Sequence, residues 1–506
     1  MFQPVKLKAS SSFLNMLGVY GLLLVFAGGV HLLPLLALPF YSDELVEGAY
    51  IAAPAGCAIF IGFMLNTLQR IVNRRRDNQD SQISAKHAAV LVSILWFSSA
   101  LISAVPYMIS CHLDFTEAFF EGMSGWTTTN MTVIGPEPLP HVLVLCRSVT
   151  NFFGGVGLTC VVLSTFSEAY GMQLFKAEGH PDRLLPNLAK SARMVMSLFG
   201  AYFAVGTIAY VIAGMPVFDA INFCLTAIST GGVSINGMSI DYYQSVPIEV
   251  ITIVLMILGA MSFPVHLMFI KRKFRSFLKI GELRCFALLL VVGALIISLE
   301  FMHSVTESAG EALRLGIYNT VSIITTSGFY TMPAYSSITP LAIATIIFLM
   351  LVGGSAGSTA GGIKIGRLYF LYKSLIWRIK RRFMSEYNAK EQSIYSPQGK
   401  IYLKEEHYSE VFNYVSFYFV FLFIGVLILT AHGYSLQDSL YDFASAMGTV
   451  GLSSGIASSA APRAVLWTMS FGMFLGRLEI IVVILAIIQM LKGAGNAFRK
   501  TRGDKR

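Results

Sequence analysis

Four short turns in this chain share one pattern: a threonine, one further residue, a glycine, and then a bulky apolar residue. The turns are Thr128-Thr129-Asn130-Met131, Thr230-Gly231-Gly232-Val233, Thr326-Ser327-Gly328-Phe329 and Thr449-Val450-Gly451-Leu452. Only the first has another residue, Asn130, at the glycine position. Glycine permits the left-handed or extended backbone that turns carbonyl groups inward. Four such turns around one axis would form rings of carbonyl oxygens that replace the water shell of a cation. The repeated pattern predicts a cation site, and four ordinary extracellular turns are the alternative.

A second segment, residues 349–364, combines small residues that a stable isolated helix would not contain. It lies inside an apolar run, 340–375, that is long enough to cross a membrane. Each glycine in a helix interior costs about 1 kcal/mol relative to alanine. At membrane depth, irregular backbone is tolerated only where it is buried in protein or lines a wet cavity. The segment predicts a broken helix that acts as a gate, and close helix packing through small residues is the alternative. Its small residues are Gly353, Gly354, Ser355, Gly357, Ser358, Thr359, Gly361 and Gly362.

An arginine, Arg477, lies inside the last apolar run, in the sequence Phe474-Leu-Gly-Arg-Leu-Glu. A charged side chain within a membrane span is costly, so it is a functional hypothesis by default. We interpret Arg477 as a positive barrier that faces the ion pathway. Snorkelling to the interface or a pair with Glu479 is the alternative. The pair is weak because residues two apart do not face each other on a helix.

Membrane helices must position these residues, because the composition excludes a soluble protein. The chain has 506 residues, of which 55% are hydrophobic and 13% are charged, whereas soluble domains carry about 25% charge. Its six cysteines are scattered without a C-x-x-C pair, so they indicate neither a metal site nor a disulfide framework. The net charge of +9 is concentrated in Arg70–Arg76, Lys271–Lys279, Lys373–Arg382 and the tail Arg499–Arg506. The positive-inside rule makes these loops cytoplasmic, and their position next to membrane spans argues against nucleic-acid binding.

The apolar runs predict two N-terminal spans and then a unit that recurs four times. Each copy contains a first span, a short amphipathic segment, one of the four turns and a second span. The N-terminal spans are 13–38 and 49–70, the first spans are 88–111, 194–214, 284–303 and 411–431, and the second spans are 140–167, 246–270, 340–373 and 463–491. Internal repeats of this kind determine the fold class. We expect an all-α polytopic membrane protein with four parallel helix–pore-loop–helix repeats around one central pore, plus two N-terminal transmembrane helices.

The predicted divisions of the chain follow these repeats. They are 1–80 for the two N-terminal helices, 81–170 for pore repeat 1, 190–282 for repeat 2, 283–385 for repeat 3 with its broken second helix, 405–492 for repeat 4 and 493–506 for a basic cytoplasmic tail.

The segments between the spans have the length of half-helices. An acid stands 13 residues before the third turn residue in repeats 1, 2 and 4, at Glu117, Asp219 and Asp438. We place Asp219 and Asp438 at the N-cap, where an acid favours the helix start. The third copy, from Leu313 to Gly328, is predicted to have the same length but to lack the acid. A re-entrant half-helix directs its negative C-terminal end at the membrane centre, where a cation would be stabilised.

Two other classes of function are alternatives to a cation pathway. A membrane enzyme would need paired intramembrane acids, histidine clusters or a phosphate loop. Gly357–Gly362 has the phosphate-loop spacing, but Ile363 stands where the lysine should be. A secondary transporter with inverted repeats is the other class. Here the repeats are parallel and fourfold, which favours a pore and no enzymatic activity.

These residues resemble the Trk/Ktr/HKT superfamily of potassium and sodium translocating proteins, most closely the TrkH type. The resemblance covers nearly the whole chain. It is most specific in Gly122-Met-Ser-Gly-Trp-Thr-Thr-Thr, Phe152-Phe-Gly-Gly-Val-Gly, Gly353 to Lys364 and Gly448-Thr-Val-Gly-Leu-Ser. It implies four pore units with pseudo-fourfold symmetry in one subunit, a homodimer, and a multi-pass location in the cytoplasmic (inner) membrane of a bacterium. It also implies an intramembrane gate, which matches Gly353–Gly362, and an arginine in the last span, which matches Arg477.

The resemblance also implies a K⁺ selectivity filter at the four turns, with K⁺ as the bound ion and no organic cofactor. The filter glycines of the family correspond to Gly232, Gly328 and Gly451, and Asn130 departs from the pattern. In the plant branch a serine at this place accompanies sodium preference, so Na⁺ or non-selective translocation is the alternative to K⁺ uptake, as is ion-coupled secondary transport. TrkH members work with a cytosolic ring of nucleotide-binding (TrkA-like) subunits. The basic loops Lys271–Lys279 and Lys373–Arg382 could dock such a partner or bind lipid headgroups.

Overall fold

The computed structural model describes residues 5–74, 85–135, 139–157, 188–233, 235, 237–331, 335–383, 393–396, 399–403 and 405–503. The end of the predicted span 140–167, part of the basic loop at 70–76 and the last residues of the tail lie outside these ranges. The helices are α1 (Val5–Leu32), α2 (Leu45–Arg74), α3 (Ala85–Ser110), α4 (Phe115–Trp126), α5 (His141–Val156), α6 (Leu188–Ile212), α7 (Val217–Ile228), α8 (Val246–Ala260), α9 (Phe263–Ile270), α10 (Phe274–Phe277), α11 (Gly281–Ser304), α12 (Ala309–Ile324), α13 (Pro340–Val352), α14 (Ile365–Arg382), α15 (Glu405–Ala431), α16 (Leu436–Gly448), α17 (Arg463–Arg477) and α18 (Ile480–Gly503). A short antiparallel hairpin, β1 (Ser393–Ser396) and β2 (Gly399–Tyr402), pairs Ser393 with Tyr402.

The long helices confirm the fold class of an all-α polytopic membrane protein. Six of them are long and apolar enough to cross a membrane, or up to eight spans when each of two bent helix pairs counts as one, within the described residues. Side chains such as Phe60 and Phe63 on α2, Leu288 on α11 and Phe423 on α15 are exposed. An exposed apolar face suits a helix that meets lipid rather than water. The remaining predicted spans are α5, whose continuation past Gly157 is not described, and the interrupted segment formed by α13 and α14.

Four half-helices, α4, α7, α12 and α16, precede the four turns. Three of them contain 12 or 13 residues, which is about 18–20 Å at 1.5 Å per residue and too short to span a bilayer. The predicted N-cap positions of the acids are wrong. Ser435 caps α16 by accepting from the Asp438 amide at 3.0 Å, and Asp114 and Glu117 exchange backbone–carboxylate bonds of 2.8 and 2.9 Å at the start of α4. The acids therefore occupy the third helical position, as in a capping box.

The third half-helix also carries an acid, contrary to the prediction. Helix α12 contains 16 residues and has Glu311 in its first turn, so it is about one turn longer than its counterparts. Its acid stands 17 residues before Gly328, because 328 − 311 = 17, and counting at the fixed offset missed it. In repeat 2, Asp219 accepts a bond of 2.6 Å from the Tyr243 hydroxyl. Burial, reinforced by that carboxylate, raises the pKa of Tyr243, so the tyrosine remains a donor.

The second spans of repeats 2 and 4 are broken, whereas the apolar runs predict continuous spans over 246–270 and 463–491. Helix α8 ends at Ala260, and α9 begins at Phe263 after a bend of 111°. Pro264 near the start of α9 lacks the amide that would continue the ladder. Just before each break a glycine lies against the end of the preceding half-helix. A Cβ atom on Gly259 would collide with the Ile228 carbonyl, and one on Gly476 would collide with the Met447 carbonyl.

The chain forms two compact units. One contains residues 1–126, 140–197 and 478–506, and the other contains residues 127–139 and 198–477. In the first unit, α1 packs along α2, and α3 packs against α4 and α18. In the second unit, the buried core joins residues of α11, α12, α13 and α16 to Val450 and Leu452 after α16. All four turns, the glycine-rich segment and Arg477 belong to this second unit.

Candidate functional site

Three of the half-helices, α7, α12 and α16, end in the same type of cap, with the turn threonine in the left-handed position. In repeat 2 the Thr230 amide donates to the Ala227 carbonyl, and the Gly231 amide donates to the Thr226 carbonyl at 2.8 Å. The same pair of bonds closes α12 and α16. This is the Schellman arrangement, in which a left-handed residue just past the helix is usually glycine. The negative end of each half-helix dipole therefore lies next to its turn.

Each of the four turn threonines adopts this costly backbone. Thr128, Thr230, Thr326 and Thr449 have φ angles of 59°, 55°, 56° and 52°. A β-branched residue with positive φ is a genuine outlier, and strained backbone of this kind clusters at functional sites. The third residue of each turn also has positive φ, at 57° for Asn130 and 65°, 75° and 96° for Gly232, Gly328 and Gly451.

The third residues of the turns contact the neighbouring turns in a closed cycle. A Cβ atom on Gly232 would collide with the Ser327 carbonyl oxygen, one on Gly328 with that of Val450, and one on Gly451 with that of Thr129. Asn130 completes the cycle, because its side-chain amide donates to the Gly231 carbonyl. The carbonyls of the four second residues thus lie at the four junctions between neighbouring turns. These second residues are Thr129, Gly231, Ser327 and Val450. The structure brings together all the turn residues singled out by the sequence.

The hydroxyl groups of the turn threonines are not used alike. Thr326 accepts from the Gly361 amide at 2.9 Å, and Thr230 contacts the Thr359 hydroxyl at 3.2 Å. The hydroxyls of Thr128 and Thr449 are buried without a hydrogen-bond partner among the described residues. We refer to the closed cycle of the four turns as the ring. Two buried hydroxyl oxygens, on Thr128 and Thr449, are therefore available to accept a ligand where the half-helices end.

The glycine-rich segment lies directly against these threonines. A Cβ atom on Gly361 would collide with the Thr449 hydroxyl, so the segment contacts the turns of repeats 2, 3 and 4. It is held from the other side as well, because the Ser355 amide donates to the Ala260 carbonyl at 3.0 Å and the Thr359 hydroxyl donates to Gly259 at 2.9 Å. Most of its residues are buried, with Thr359 and Ala360 at 0% exposure, whereas Ala356 and Gly357 are half-buried. The segment is irregular backbone rather than a helix. We refer to residues 353–362 as the plug.

Two cationic side chains bind carbonyl groups of this plug. The Arg477 guanidinium donates to the Thr359 carbonyl, and the Lys364 ammonium donates to the Ala360 carbonyl. Lys364 also adopts a positive φ of 76°. The sequence interpretation singled out Arg477 but assigned no role to Lys364. Both positive charges are thus anchored to the segment that contacts the turn threonines.

Two further side chains hold the residues that follow the turns, and sequence reasoning missed them. In repeat 3, Asn319 accepts from the Thr331 amide at 3.2 Å and donates to the Thr331 hydroxyl at 3.1 Å. In repeat 4, Asp442 accepts from the Ser454 amide and the Ser453 hydroxyl, each at 2.6 Å. Both stand nine residues before the turn glycine. A comparison of the residues nine positions before each turn glycine would have identified both side chains.

Replacing Asp442 with alanine is expected to destabilise repeat 4, whereas replacing it with asparagine is not. Alanine leaves the Ser454 amide without its acceptor, and hydrogen bonds to a charged group contribute about 1.5–3 kcal/mol each. Asparagine keeps an acceptor for the amide and can donate to Ser453, as Asn319 does in repeat 3. The measurement is thermal unfolding of the purified protein in detergent, together with K⁺ flux in liposomes. If both variants unfold at the wild-type temperature and conduct K⁺ at the wild-type rate, the hydrogen bonds of Asp442 to Ser453 and Ser454 are dispensable.

Comparison with known proteins places this architecture in a defined class. The family model for the TrkH cation transport proteins matches residues 55–497. An uncharacterized cation transporter of Methanocaldococcus jannaschii is 28% identical over 482 residues, which cover 93% of this chain and 94% of that protein. The Trk system potassium uptake protein TrkH of Salmonella typhimurium is 27% identical, with 92% and 96% coverage. The crystal structure of the potassium transporter TrkH from Vibrio parahaemolyticus superimposes with a TM-score of 0.80 at 24% identity and covers 94% of this chain and 98% of that one, which shows a shared fold.

The fold, the turns and the family match define a multi-pass cation transport protein of the cytoplasmic membrane. The chain belongs to the TrkH family of cation transport proteins. The family resemblance inferred from the turn sequences is thereby confirmed.

Proposed function

We propose that this protein conducts K⁺ across the cytoplasmic membrane through a selectivity filter formed by the four turns. The observation that carries the proposal is the closed cycle in which the third residue of each turn meets a carbonyl of the next. Backbone carbonyl oxygens at such junctions can replace the hydration shell of a monovalent cation. The filter residues are Thr128, Thr129, Asn130, Thr230, Gly231, Gly232, Thr326, Ser327, Gly328, Thr449, Val450 and Gly451, and K⁺ is the ion that they would bind.

Two features support a cation rather than an anion. The half-helices end at the turns, so their negative dipole ends stabilise positive charge there. The relatives from Salmonella typhimurium and Escherichia coli are named potassium uptake proteins, and this favours K⁺ among the cations.

The glycine-rich plug is proposed as the gate of this pathway. Gly353, Gly354, Ser355, Gly357, Gly361, Gly362 and Arg477 form it, and Lys364 is added on the basis of its bond to Ala360. The plug contacts the turn threonines of three repeats, so an ion that leaves the ring on that side meets it. Gly353, Gly357 and Gly362 have positive φ, which leaves the backbone able to change conformation without side-chain clashes.

Na⁺ or non-selective K⁺/Na⁺ translocation is the second candidate function. Asn130 favours it, because one of the four ring positions carries a side chain where the others have glycine. Ion-coupled transport along the same pathway is a variant of either function. We assign the protein no enzymatic step, no organic cofactor and no nucleic-acid partner.

Assembly and regulation are proposed from the family and from surface charge. We propose a homodimer that docks a cytosolic nucleotide-binding (TrkA-like) subunit, in keeping with relatives named as parts of a Trk system. The end of α14 presents Lys380, Arg381 and Arg382 at the surface, which suits an acidic partner. Anionic lipid headgroups are the competing ligand for these charges.

Flux measurements in liposomes test the function and the partner together. We expect cation flux with K⁺ and Rb⁺ exceeding Na⁺, because a carbonyl ring of this type is suited to the larger ions. Absence of flux for K⁺, Na⁺, Rb⁺ and Cs⁺ would contradict the conduction proposal.

Full nucleotide-dependent regulation of the purified protein alone would contradict the need for a separate subunit.

A further inference from the structure

The four junctions of the ring are not equivalent, and Asn130 makes the difference. At three junctions a glycine with positive φ lies against the next carbonyl, with no room for a side chain. At the fourth, Asn130 has positive φ, and its side chain extends to the Gly231 carbonyl. An L-residue with this backbone directs its side chain at the neighbouring carbonyl, as the hypothetical Cβ positions on the glycines show. A side chain that ends in a hydrogen-bond donor is compatible with that carbonyl, and asparagine is such a residue.

The orientation of the Asn130 carboxamide follows from its partner. Gly231 presents an acceptor, so the Nδ2 group must face it, and the opposite orientation would place two oxygens together. The Oδ1 atom then points away from Gly231. It is buried and has no hydrogen-bond partner among the residues that the structure describes. A buried carboxamide oxygen without a partner is unfavourable unless something else coordinates it.

We propose that Asn130 Oδ1 takes the place of the Gly231 carbonyl as the fourth oxygen of the ring. The ring would then hold its cation with the backbone carbonyls of Thr129, Ser327 and Val450 and one side-chain carbonyl. Carboxamide and backbone carbonyl oxygens are equivalent in type as ligands of hard cations. The Gly231 carbonyl is occupied as the acceptor of the Asn130 side-chain amide. This proposal rests on the proposed function, because it assigns a ligand within that filter.

The exchange has a consequence for ion preference. A backbone carbonyl is fixed by its turn, whereas a carboxamide on a side chain with two rotatable bonds adjusts its position. A ring with one adjustable ligand can contract around Na⁺ more readily than a ring of four backbone oxygens. This protein should therefore discriminate between K⁺ and Na⁺ less strictly than a variant with glycine at all four junctions.

The Asn130→Gly variant tests the proposal by restoring a fourth glycine. Because it removes the substitute ligand and frees the Gly231 carbonyl, the K⁺/Na⁺ permeability ratio in liposomes is expected to rise by about fivefold or more, which is about 1 kcal/mol of discrimination. The concentrations of K⁺ and Na⁺ that protect the protein from thermal unfolding should diverge in the same direction. Unchanged ratios in both measurements would overturn the proposal.

The Asn130→Asp variant tests whether the side-chain oxygen at position 130 is a ring ligand if the Asn130→Gly variant does not fold. Aspartate has the same shape but lacks the donor to Gly231 and adds a negative charge to the ring. It should lower the K⁺/Na⁺ ratio and make Ba²⁺ inhibit flux at a concentration about tenfold lower or less. Wild-type ratios and wild-type Ba²⁺ inhibition would overturn the proposal.

Failure of this inference is distinguishable from failure of the filter itself. If Gly451→Ser shifts the permeability ratio and neither Asn130 variant does, the four turns form the filter but Asn130 supplies no ligand. If none of the three variants shifts it, the filter assignment fails as a whole.

Discussion

Gly451→Ser is expected to lower the K⁺/Na⁺ permeability ratio by about tenfold or more, which corresponds to about 1.4 kcal/mol of lost discrimination. Gly451 has a φ of 96°, and a Cβ atom there would collide with the Thr129 carbonyl oxygen. Serine must therefore displace the turn of repeat 1 or rotate one ring carbonyl away from the ion. A hydrogen bond to a charged group contributes about 1.5–3 kcal/mol, and by analogy the displacement of one ring oxygen is sufficient for this shift. Permeability ratios from liposome flux with K⁺ and Na⁺ gradients provide the measurement.

Gly455→Ser is the matched control for this substitution. Gly455 lies four residues further along the same segment and has a positive φ of 110°, but no atom lies within 4 Å of its hypothetical Cβ. The Gly455→Ser substitution therefore introduces the same side chain, and a similar cost in backbone strain, without contacting a ring carbonyl. We expect the control to keep wild-type selectivity. Equal ratios for both variants and the wild type, in folded protein, would refute the filter.

Arg477→Ala is expected to raise cation flux by about tenfold or more without changing the order of ion preference. The guanidinium binds the Thr359 carbonyl, and Thr359 contacts Thr230 of the ring. At an effective dielectric constant of about 20, two like charges a few ångströms apart repel by roughly 4 kcal/mol. A fixed positive charge on the plug thus lowers cation occupancy beneath the ring and also holds the plug in place. Removing it weakens both effects, and initial rates of Rb⁺ uptake by liposomes would report the gain.

Arg367→Ala is the control for the change of charge. Arg367 lies on α14, just after the glycine-rich segment. Its guanidinium lies 3.7 Å from the centre of the Tyr414 ring and donates to the Ile363 carbonyl at 3.4 Å, so it does not bind Thr359. Its removal should leave flux near the wild-type level. A deletion of residues 356–358 should raise flux as Arg477→Ala does, because it shortens the plug between its anchors at Ser355 and Thr359.

The packing interpretation of the glycine-rich segment leads to the opposite outcome. If the segment only joins helices, both changes should reduce expression or assembly, and the surviving protein should not leak. Flux at or below the wild-type level in folded, monodisperse Arg477→Ala and deletion variants would therefore identify a packing motif and exclude a gate.

Features that depend on local composition were determined by the sequence itself. The apolar runs define the long helices, since burying about 20 residues in lipid overrides weak local preferences. The spacing of the turns defined the half-helices, and the glycines of 353–362 indicated a break in repeat 3. Asn130 was recognised as the departure from the pattern. Each of these inferences needs only neighbouring residues.

The errors at the helix ends arose from small differences in length. One additional turn in α12 moved Glu311 out of the counted offset, and the acids occupy the third helical position because Ser435 and Asp114 take the cap. Hydropathy did not predict the breaks after Ala260 and Arg477, because each bent helix pair is apolar enough overall to pass as one span, even with Arg477 and Glu479 at the second break. Hydropathy reports burial in lipid but is insensitive to a change of direction.

Only the tertiary structure decided which groups meet. Gly451 lies against Thr129, Asn130 binds Gly231, and Arg477 binds Thr359 across 118 residues of sequence. Asn319 binds Thr331 and Asp442 binds Ser454 because the chain after each turn folds back along the half-helix that precedes it. Local propensity contains no information on such pairs, since they form only when segments that are distant in the sequence pack together. The residue types of the filter and the plug are thus a property of the sequence, whereas the order of turns around the ring and the partner of each charge are properties of the fold.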